Sequence, residues 1–130
     1  MLDKNLQIVY NSLRTTSNTN MYDKDFVIET LAQLISKSYG MLQRFTGCVI
    51  SEVDTKKFSM TLKFPKSSVG SKWNLLTLSV NGWDYIDMTL EKESNYKGVK
   101  KVKEFYSLEN IPGECVLRIF REVTGVATIL

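Results

Sequence analysis

Helical spacing of apolar residues characterises the first third of the chain. Intervals of four, three and four separate the apolar residues Leu2, Leu6, Val9 and Leu13. This spacing places them on one face and predicts a helix from Asp3 to about Arg14. The six small polar residues 15–20 then favour a loop, because their side chains compete for backbone hydrogen bonds.

A second, longer helix is predicted to begin near Asp23 or Asp25, since both are good N-cap residues. Its apolar face continues through Val27, Leu31, Leu34, Ile35, Leu42 and Phe45. Gly40 lies inside this stretch and indicates a close contact or a kink, because glycine costs roughly 1 kcal/mol in a helix interior. Gly47 is expected to end the helix as the residue after its last turn.

After Gly47 the apolar period changes from helical spacing to alternation, which predicts β-strands. A short strand from Cys48 to Val53 is followed by a turn at 54–57. The clearest alternation in the chain comes next, at Phe58, Met60, Leu62 and Phe64. It predicts a strand with one buried and one solvated face. The polar segment Pro65–Lys72 is expected to be a loop.

The dipeptide Asn81-Gly82 predicts a hairpin between strands at Trp73–Val80 and Trp83–Glu91. A two-residue turn would leave both faces of these strands apolar. A three-residue loop with Gly82 in the left-handed conformation instead puts on one face Leu76, Leu78, Ile86, Met88 and Leu90. The opposite face then carries Thr77, Ser79, Trp83 and Tyr85. We favour this second register, because strand pairing normally keeps an apolar set together.

One further strand and one helix are predicted in the C-terminal part. The polar stretch Glu91–Gly98 indicates a connection, and Val99–Leu108 indicates the fifth strand. A final helix begins at Pro112 and ends near Gly125, with an apolar face at Val116, Ile119, Phe120 and Val123. We therefore predict a single α+β domain over residues 1–130. Its antiparallel sheet of about five strands is packed on one face by N-terminal helices and a C-terminal helix.

The composition is that of a soluble globular protein. The 130 residues suffice for one core, with 43% hydrophobic and 24% charged residues. Neither a transmembrane run nor a signal-peptide pattern is present, so we expect a cytoplasmic location. The two cysteines, Cys48 and Cys115, suit a reducing compartment, and one disulfide bond between them is also compatible with the sequence.

The chain contains no histidine, which limits the reactions that it could catalyse. Acid–base catalysis by histidine, Ser-His and Cys-His nucleophile pairs and most zinc sites are excluded. Four acidic residues lie close together in the sequence, Asp84, Asp87, Glu91 and Glu93. However, alternate side chains of a strand are ~7 Å apart and do not converge on one metal ion. We therefore expect a protein that is not an enzyme and holds neither a cofactor nor a metal.

Lysines and aromatic residues suggest contact with nucleic acid. No acidic residue lies between Asp54 and Asp84, whereas five lysines give that segment a charge of +5. In the favoured register the solvated sheet face combines Lys63 with Trp83 and Tyr85. One alternate set of the fifth strand can join it, namely Lys101, Lys103 and Phe105. Such a face stacks unpaired bases and neutralises phosphates. The predicted nucleic-acid-binding residues are Lys63, Lys66, Lys72, Trp83, Tyr85, Lys101 and Lys103.

A protein partner is the alternative. The first helix, the C-terminal segment Val126–Leu130 and the aromatic pair Trp83 and Tyr85 offer more apolar surface than one core covers. Leftover apolar patches mark interfaces, and twofold symmetry is the commonest way to close one. This alternative is a protein-binding inhibitor or adaptor of viral or mobile-element type. We also expect the protein to form a homodimer.

Overall fold

Helices lie before and after an antiparallel sheet in the computed structural model, which describes residues 22–126. Within these residues the sheet has five strands, β1 (Val49–Asp54), β2 (Ser59–Lys63), β3 (Leu75–Val80), β4 (Ile86–Tyr96) and β5 (Val99–Ile111). The helices are α1 (Lys24–Ala32), α2 (Tyr39–Thr46), α3 (Lys66–Val69) and α4 (Val116–Thr124), with a 3-10 turn at Gly113–Cys115. The predicted α+β class and antiparallel sheet are confirmed. The first predicted helix, Asp3 to Arg14, and the tail residues 127–130 lie outside the described residues.

The sheet is an open meander in which each strand pairs with its neighbours in sequence. The order is β1-β2-β3-β4-β5, and every pairing is antiparallel. Within the described part of the chain, β1 and β5 are therefore the two edges.

The core lies between one face of the sheet and the helices. The clearest predicted alternation is confirmed, because Phe58, Met60, Leu62 and Phe64 are each at most 2% exposed. The buried side chains of β3 and β4 on the same face include Leu76, Leu78, Val80, Ile86, Met88 and Leu90. The helices contribute, among others, Val27, Leu31, Leu42, Val116 and Phe120 to the same cluster. The first residue of the predicted apolar tail, Val126, also packs against this core.

An aromatic cluster attaches α4 to the sheet. The ring of Trp73 is 2% exposed and meets Phe64 edge-on, with ring centroids 5.1 Å apart. On its other side it meets Phe120 of α4 at 6.1 Å. Such edge-to-face pairs add to the free energy gained by burying the rings.

The long second helix predicted from Asp23 to Phe45 is in fact two helices, α1 and α2. The Ser38 hydroxyl accepts a hydrogen bond from the backbone N–H of Met41 at 3.1 Å, which caps a new helix. Leu34 and Ile35 lie in the connection between the helices and are nevertheless buried. The helical spacing of these apolar residues thus reflected burial rather than an unbroken helix. No helix between residues 22 and 126 has the length and apolar content needed to cross a membrane.

Gly47 ends α2 as predicted. Its φ is 72°, in the left-handed region that favours glycine, and its N–H donates to the carbonyl of Gln43. Cys48 follows at once. Both cysteines are free thiols, so no disulfide joins Cys48 and Cys115. Burial raises the pKa of the Cys48 thiol, which keeps it protonated and poorly nucleophilic.

The hairpin between β3 and β4 has the predicted faces but a different turn. Val80 pairs with Ile86, so residues 81–85 form a five-residue loop instead of a three-residue one. The left-handed residue is Asp84, at φ 65°, and not Gly82. The Asn81 side-chain oxygen accepts hydrogen bonds from the backbone N–H groups of Trp83 and Tyr85. This side chain, rather than a glycine, shapes the turn.

The connection predicted at Glu91–Gly98 belongs to the sheet instead. β4 continues to Tyr96, which pairs with Val99 of β5. The turn consists of Lys97 and Gly98 alone, with φ values of 51° and 78°. Two left-handed residues in succession are typical of the tight turn whose twist matches that of a hairpin.

Candidate nucleic-acid interface

A two-stranded arm, residues 92–103, extends the sheet beyond β3. The pairing of β3 with β4 ends where Leu75 meets Glu91. From there to the turn at Lys97 and Gly98, the strand pairing shown by the described residues is that of β4 with β5. All residues from Ser94 to Lys103 are exposed. The arm therefore projects from the sheet with both of its faces accessible.

Asn74 holds the base of this arm. The backbone N–H of Glu93 donates to Asn74 Oδ1 at 2.7 Å, and Asn74 Nδ2 donates to the Glu93 carbonyl at 2.9 Å. The Asn74 side chain thus makes the two hydrogen bonds with Glu93 that a backbone residue would make if β3 extended further along β4. It fixes the point at which the arm leaves the sheet.

The arm carries the excess positive charge of the chain. It contains five lysines and one glutamate, a net charge of +4. The remaining residues comprise twelve basic and thirteen acidic side chains, since the whole chain has 17 and 14. A modest net charge of +3 is thus concentrated in twelve residues. Local density of this kind attracts polyanions more strongly than the net charge suggests.

Strand pairing distributes the arm residues between two faces. Directly paired residues share a face, so Lys92 lies beside Lys103, and Ser94 beside Lys101. These pairs continue the row of Leu90 and form what we term the core-side face of the arm. A bulge at Phe105 decides this arrangement, because Leu90 pairs with Tyr106 whereas Glu91 pairs with Glu104.

The opposite face of the arm is electrostatically balanced. Nζ of Lys100 lies 3.3 Å and Nζ of Lys63 lies 3.4 Å from the Glu93 carboxylate. Desolvation acts against ionisation of Glu93, but hydrogen bonds and charges from these two lysines hold its pKa below the usual value. Both lysines are well exposed, so these ion pairs contribute little to stability.

A hollow of about 220 Å³ lies at the base of the arm, beside Lys92 and Lys103 of the core-side face. This basic hollow is lined by Lys72, Lys92, Lys103, Glu104 and Phe105. Its three lysines form no ion pair with any residue between 22 and 126. Directly opposed like charges such as Lys92 and Lys103 repel each other. An anion between them would convert this repulsion into attraction.

The structure brings together only some of the predicted site residues. Lys72 and Lys103 line the basic hollow, and Lys101 lies on the same face of the arm. Lys63 lies on the opposite face with Glu93, and Lys66 is exposed at the start of α3. The bulge at Phe105 is the physical reason, because a shift of one residue moves Lys101 and Lys103 to the other face.

The two aromatic residues predicted to join these lysines lie elsewhere. Trp83 and Tyr85 are in the loop 81–85, which is at the opposite end of β4 from the arm. The predicted face that combines them with Lys63, Lys101 and Lys103 is therefore not formed. With Asn110 they line a separate open hollow of about 450 Å³.

Two residues of this interface were not predicted, because Lys92 fell in a segment expected to be a connection and Asn74 in a strand. Phe105 was predicted to lie with Lys101 and Lys103 on one face of the fifth strand. One feature of the sequence did indicate a hairpin here. Gly98 readily adopts the left-handed backbone that a two-residue hairpin turn requires. Nothing in the sequence indicates that Asn74 clamps the arm.

Hydrogen bonds of the Asn81 side chain tie the loop 81–85 to β4 and β5. Asn81 Nδ2 donates to Asp87 Oδ1 at 2.9 Å and to Asn110 Oδ1 at 2.6 Å. Trp83 is nevertheless 80% exposed. Asp84 beside it is only 8% exposed, and its Oδ1 has no hydrogen-bond partner. Burial raises the pKa of this carboxyl group above the ordinary value of 3.8.

We expect Asp84→Asn to stabilise the protein at neutral pH, because an amide removes the cost of burying a charge. Asparagine also tolerates the left-handed backbone. A raised pKa means that stabilisation by the protonated carboxyl is fully present below pH 3.8 and lost as pH rises through the folded-state pKa. Urea denaturation should therefore show the advantage of the variant shrinking between about pH 7 and about pH 3.5. A pH-independent advantage would contradict this assignment.

Known proteins provide no assignment for this interface. Comparison with family models, with curated proteins and with solved structures found no match to the chain.

Proposed function

We propose that the protein binds nucleic acid without catalysing a reaction, and that it does so through the core-side face of the arm. The observation that carries this proposal is the direct opposition of Lys92 and Lys103, with Lys72 at the same hollow. Three ammonium groups without a carboxylate ion pair suit a phosphate group, which accepts charge-assisted hydrogen bonds from several donors.

The rest of the same face supports a polymeric anion rather than a single phosphate. Lys101 lies further along the arm, so the positive charge continues beyond the hollow. Phe105 is 40% exposed at the base and offers a ring for contact with a sugar or a base. A series of lysines with an exposed ring matches the repeating charge and the stacking surface of nucleic acid.

The test is a salt titration of binding to a fluorescent single-stranded oligonucleotide. We expect affinity to fall linearly with salt on logarithmic axes, because bound lysines release counterions. In the variant Lys92→Gln/Lys103→Gln the slope should decrease by about 1.4, that is ~0.7 for each lost phosphate contact on a single strand.

The matched control is Lys56→Gln/Lys57→Gln, which removes the same charge at the turn between β1 and β2. This turn lines a hollow with Val80 and Asn81, at the end of the sheet away from the arm. The control should keep the wild-type slope. If both double variants lower the slope equally, net charge rather than the arm is responsible, and the proposed site is wrong.

A protein contact, including a homodimer, is the second candidate and rests on Trp83. Its side chain is 80% exposed, although Asn81 fixes the backbone of the loop through a hydrogen bond. The indole ring is therefore accessible to a partner and does not pack against residues 22–126 of this chain. Tryptophan is enriched among the residues that dominate protein interfaces. Binding through such an apolar contact is nearly independent of salt, so the same titration separates the two functions.

A further inference from the structure

The shape of the arm bears on which nucleic acid it binds. Beyond the basic hollow it is a ribbon of two strands that ends in the turn at Lys97 and Gly98. A two-stranded ribbon fits the major groove of B-form DNA, about 12 Å wide, without deformation of the duplex, whereas the minor groove of about 6 Å must be widened to admit one. We propose that the arm enters the major groove of duplex DNA with its core-side face toward the base edges. This inference rests on the proposed function.

The length of the arm agrees with this placement. From Lys92 at the hollow to Lys97 at the tip there are five residues, which span ~17 Å at about 3.4 Å per residue. With the core-side face toward the base edges, the arm lies along the groove, where successive base pairs are about 3.4 Å apart. With the basic hollow on a backbone phosphate, the arm therefore extends over about five base pairs.

The distribution of charge selects the face. The carboxylate of the arm, Glu93, lies on the opposite face, where Lys100 and Lys63 neutralise it. The core-side face beyond the hollow presents Lys101 and Ser94, and then Val99. Lysine donates to guanine O6 and N7, serine hydrogen-bonds to several bases, and an apolar side chain contacts the thymine methyl group. Groups on this face therefore match what the major groove displays.

Adjacent lysines on opposite faces of β5 provide the test. Wild type, Lys101→Ala and Lys100→Ala are compared by fluorescence anisotropy on a mixed-sequence DNA duplex, the RNA duplex of the same sequence and the single-stranded DNA. We expect the DNA duplex to bind about tenfold more tightly than the RNA duplex, because the A-form major groove is too narrow for side chains. Lys101→Ala should reduce this preference several-fold, whereas Lys100→Ala should leave it unchanged.

The outcomes distinguish this inference from the proposed function. Equal binding of both duplexes, or tighter binding of the single strand, overturns insertion into the groove. An equal loss in the two alanine variants overturns the choice of face. In either case Lys92→Gln/Lys103→Gln still weakens binding of all three ligands if the proposed function is correct. If that double variant changes none of them, the proposed function itself fails.

Discussion

Replacing Trp73 with alanine is expected to lower the free energy of unfolding by about 3–5 kcal/mol. The ring is 2% exposed and lies between Phe64, next to β2, and Phe120 of α4. Its removal leaves a cavity between α4 and the sheet. The edge-to-face contacts with Phe64 and Phe120 are lost as well. Urea denaturation followed by circular dichroism measures the change.

The other tryptophan of the chain is the natural control. Trp83 is 80% exposed, so Trp83→Ala should change the free energy of unfolding by no more than about 0.5 kcal/mol. Trp73→Phe, which keeps an aromatic ring, should cost less than Trp73→Ala. Similar losses in Trp73→Ala and Trp83→Ala would show that the aromatic cluster around Trp73 does not anchor α4.

Leu34→Ala is expected to cost about 2–5 kcal/mol. Leu34 is 4% exposed and belongs to the core cluster, although it lies in the connection between α1 and α2. Because Leu34 lies outside both helices, helix propensity does not contribute, and a loss of this size reflects the cavity left in the core. The measurement is again the free energy of unfolding in urea.

Leu108→Ala is the matched leucine control, since Leu108 is 38% exposed on the edge strand β5. We expect a smaller loss there, because less apolar surface is removed from the core. A loss below about 0.5 kcal/mol in Leu34→Ala, the range of ordinary surface substitutions, would mean that this connection is peripheral to the core.

Apolar periodicity was most informative where only one face of a strand could be buried. The alternation through Phe58, Met60, Leu62 and Phe64 identified the buried face of β2 correctly. The apolar set of the β3–β4 hairpin was likewise assigned to the right face. Its pairing differed by two residues from the predicted one, and a shift of two preserves the face of every side chain.

Apolar periodicity was misleading where buried residues at helical spacing lie outside a helix. Leu34 and Ile35 are buried at helical spacing, yet the chain leaves the helix between Ala32 and Tyr39. The Ser38 side chain offers the backbone a cap there, and the Glu29 carboxylate accepts from the N–H of Tyr39. Local hydrogen bonds of this kind compete with helix continuation, and the apolar pattern does not record their outcome.

The sequence by itself determined most of the residues that enter the core, that the fold is α+β with an antiparallel sheet, and that lysines are abundant near the last strand. Phe45 is the exception on the predicted apolar helix face, since it is 53% exposed. Only the tertiary structure decided which lysines meet. A bulge at Phe105 turns Lys101 and Lys103 away from Lys63, and the arm brings Lys92 beside Lys103 and Lys72. The physical reason is that burial of apolar area is encoded residue by residue. The face of an exposed lysine, in contrast, depends on register, which a single extra residue reverses without exposing the core.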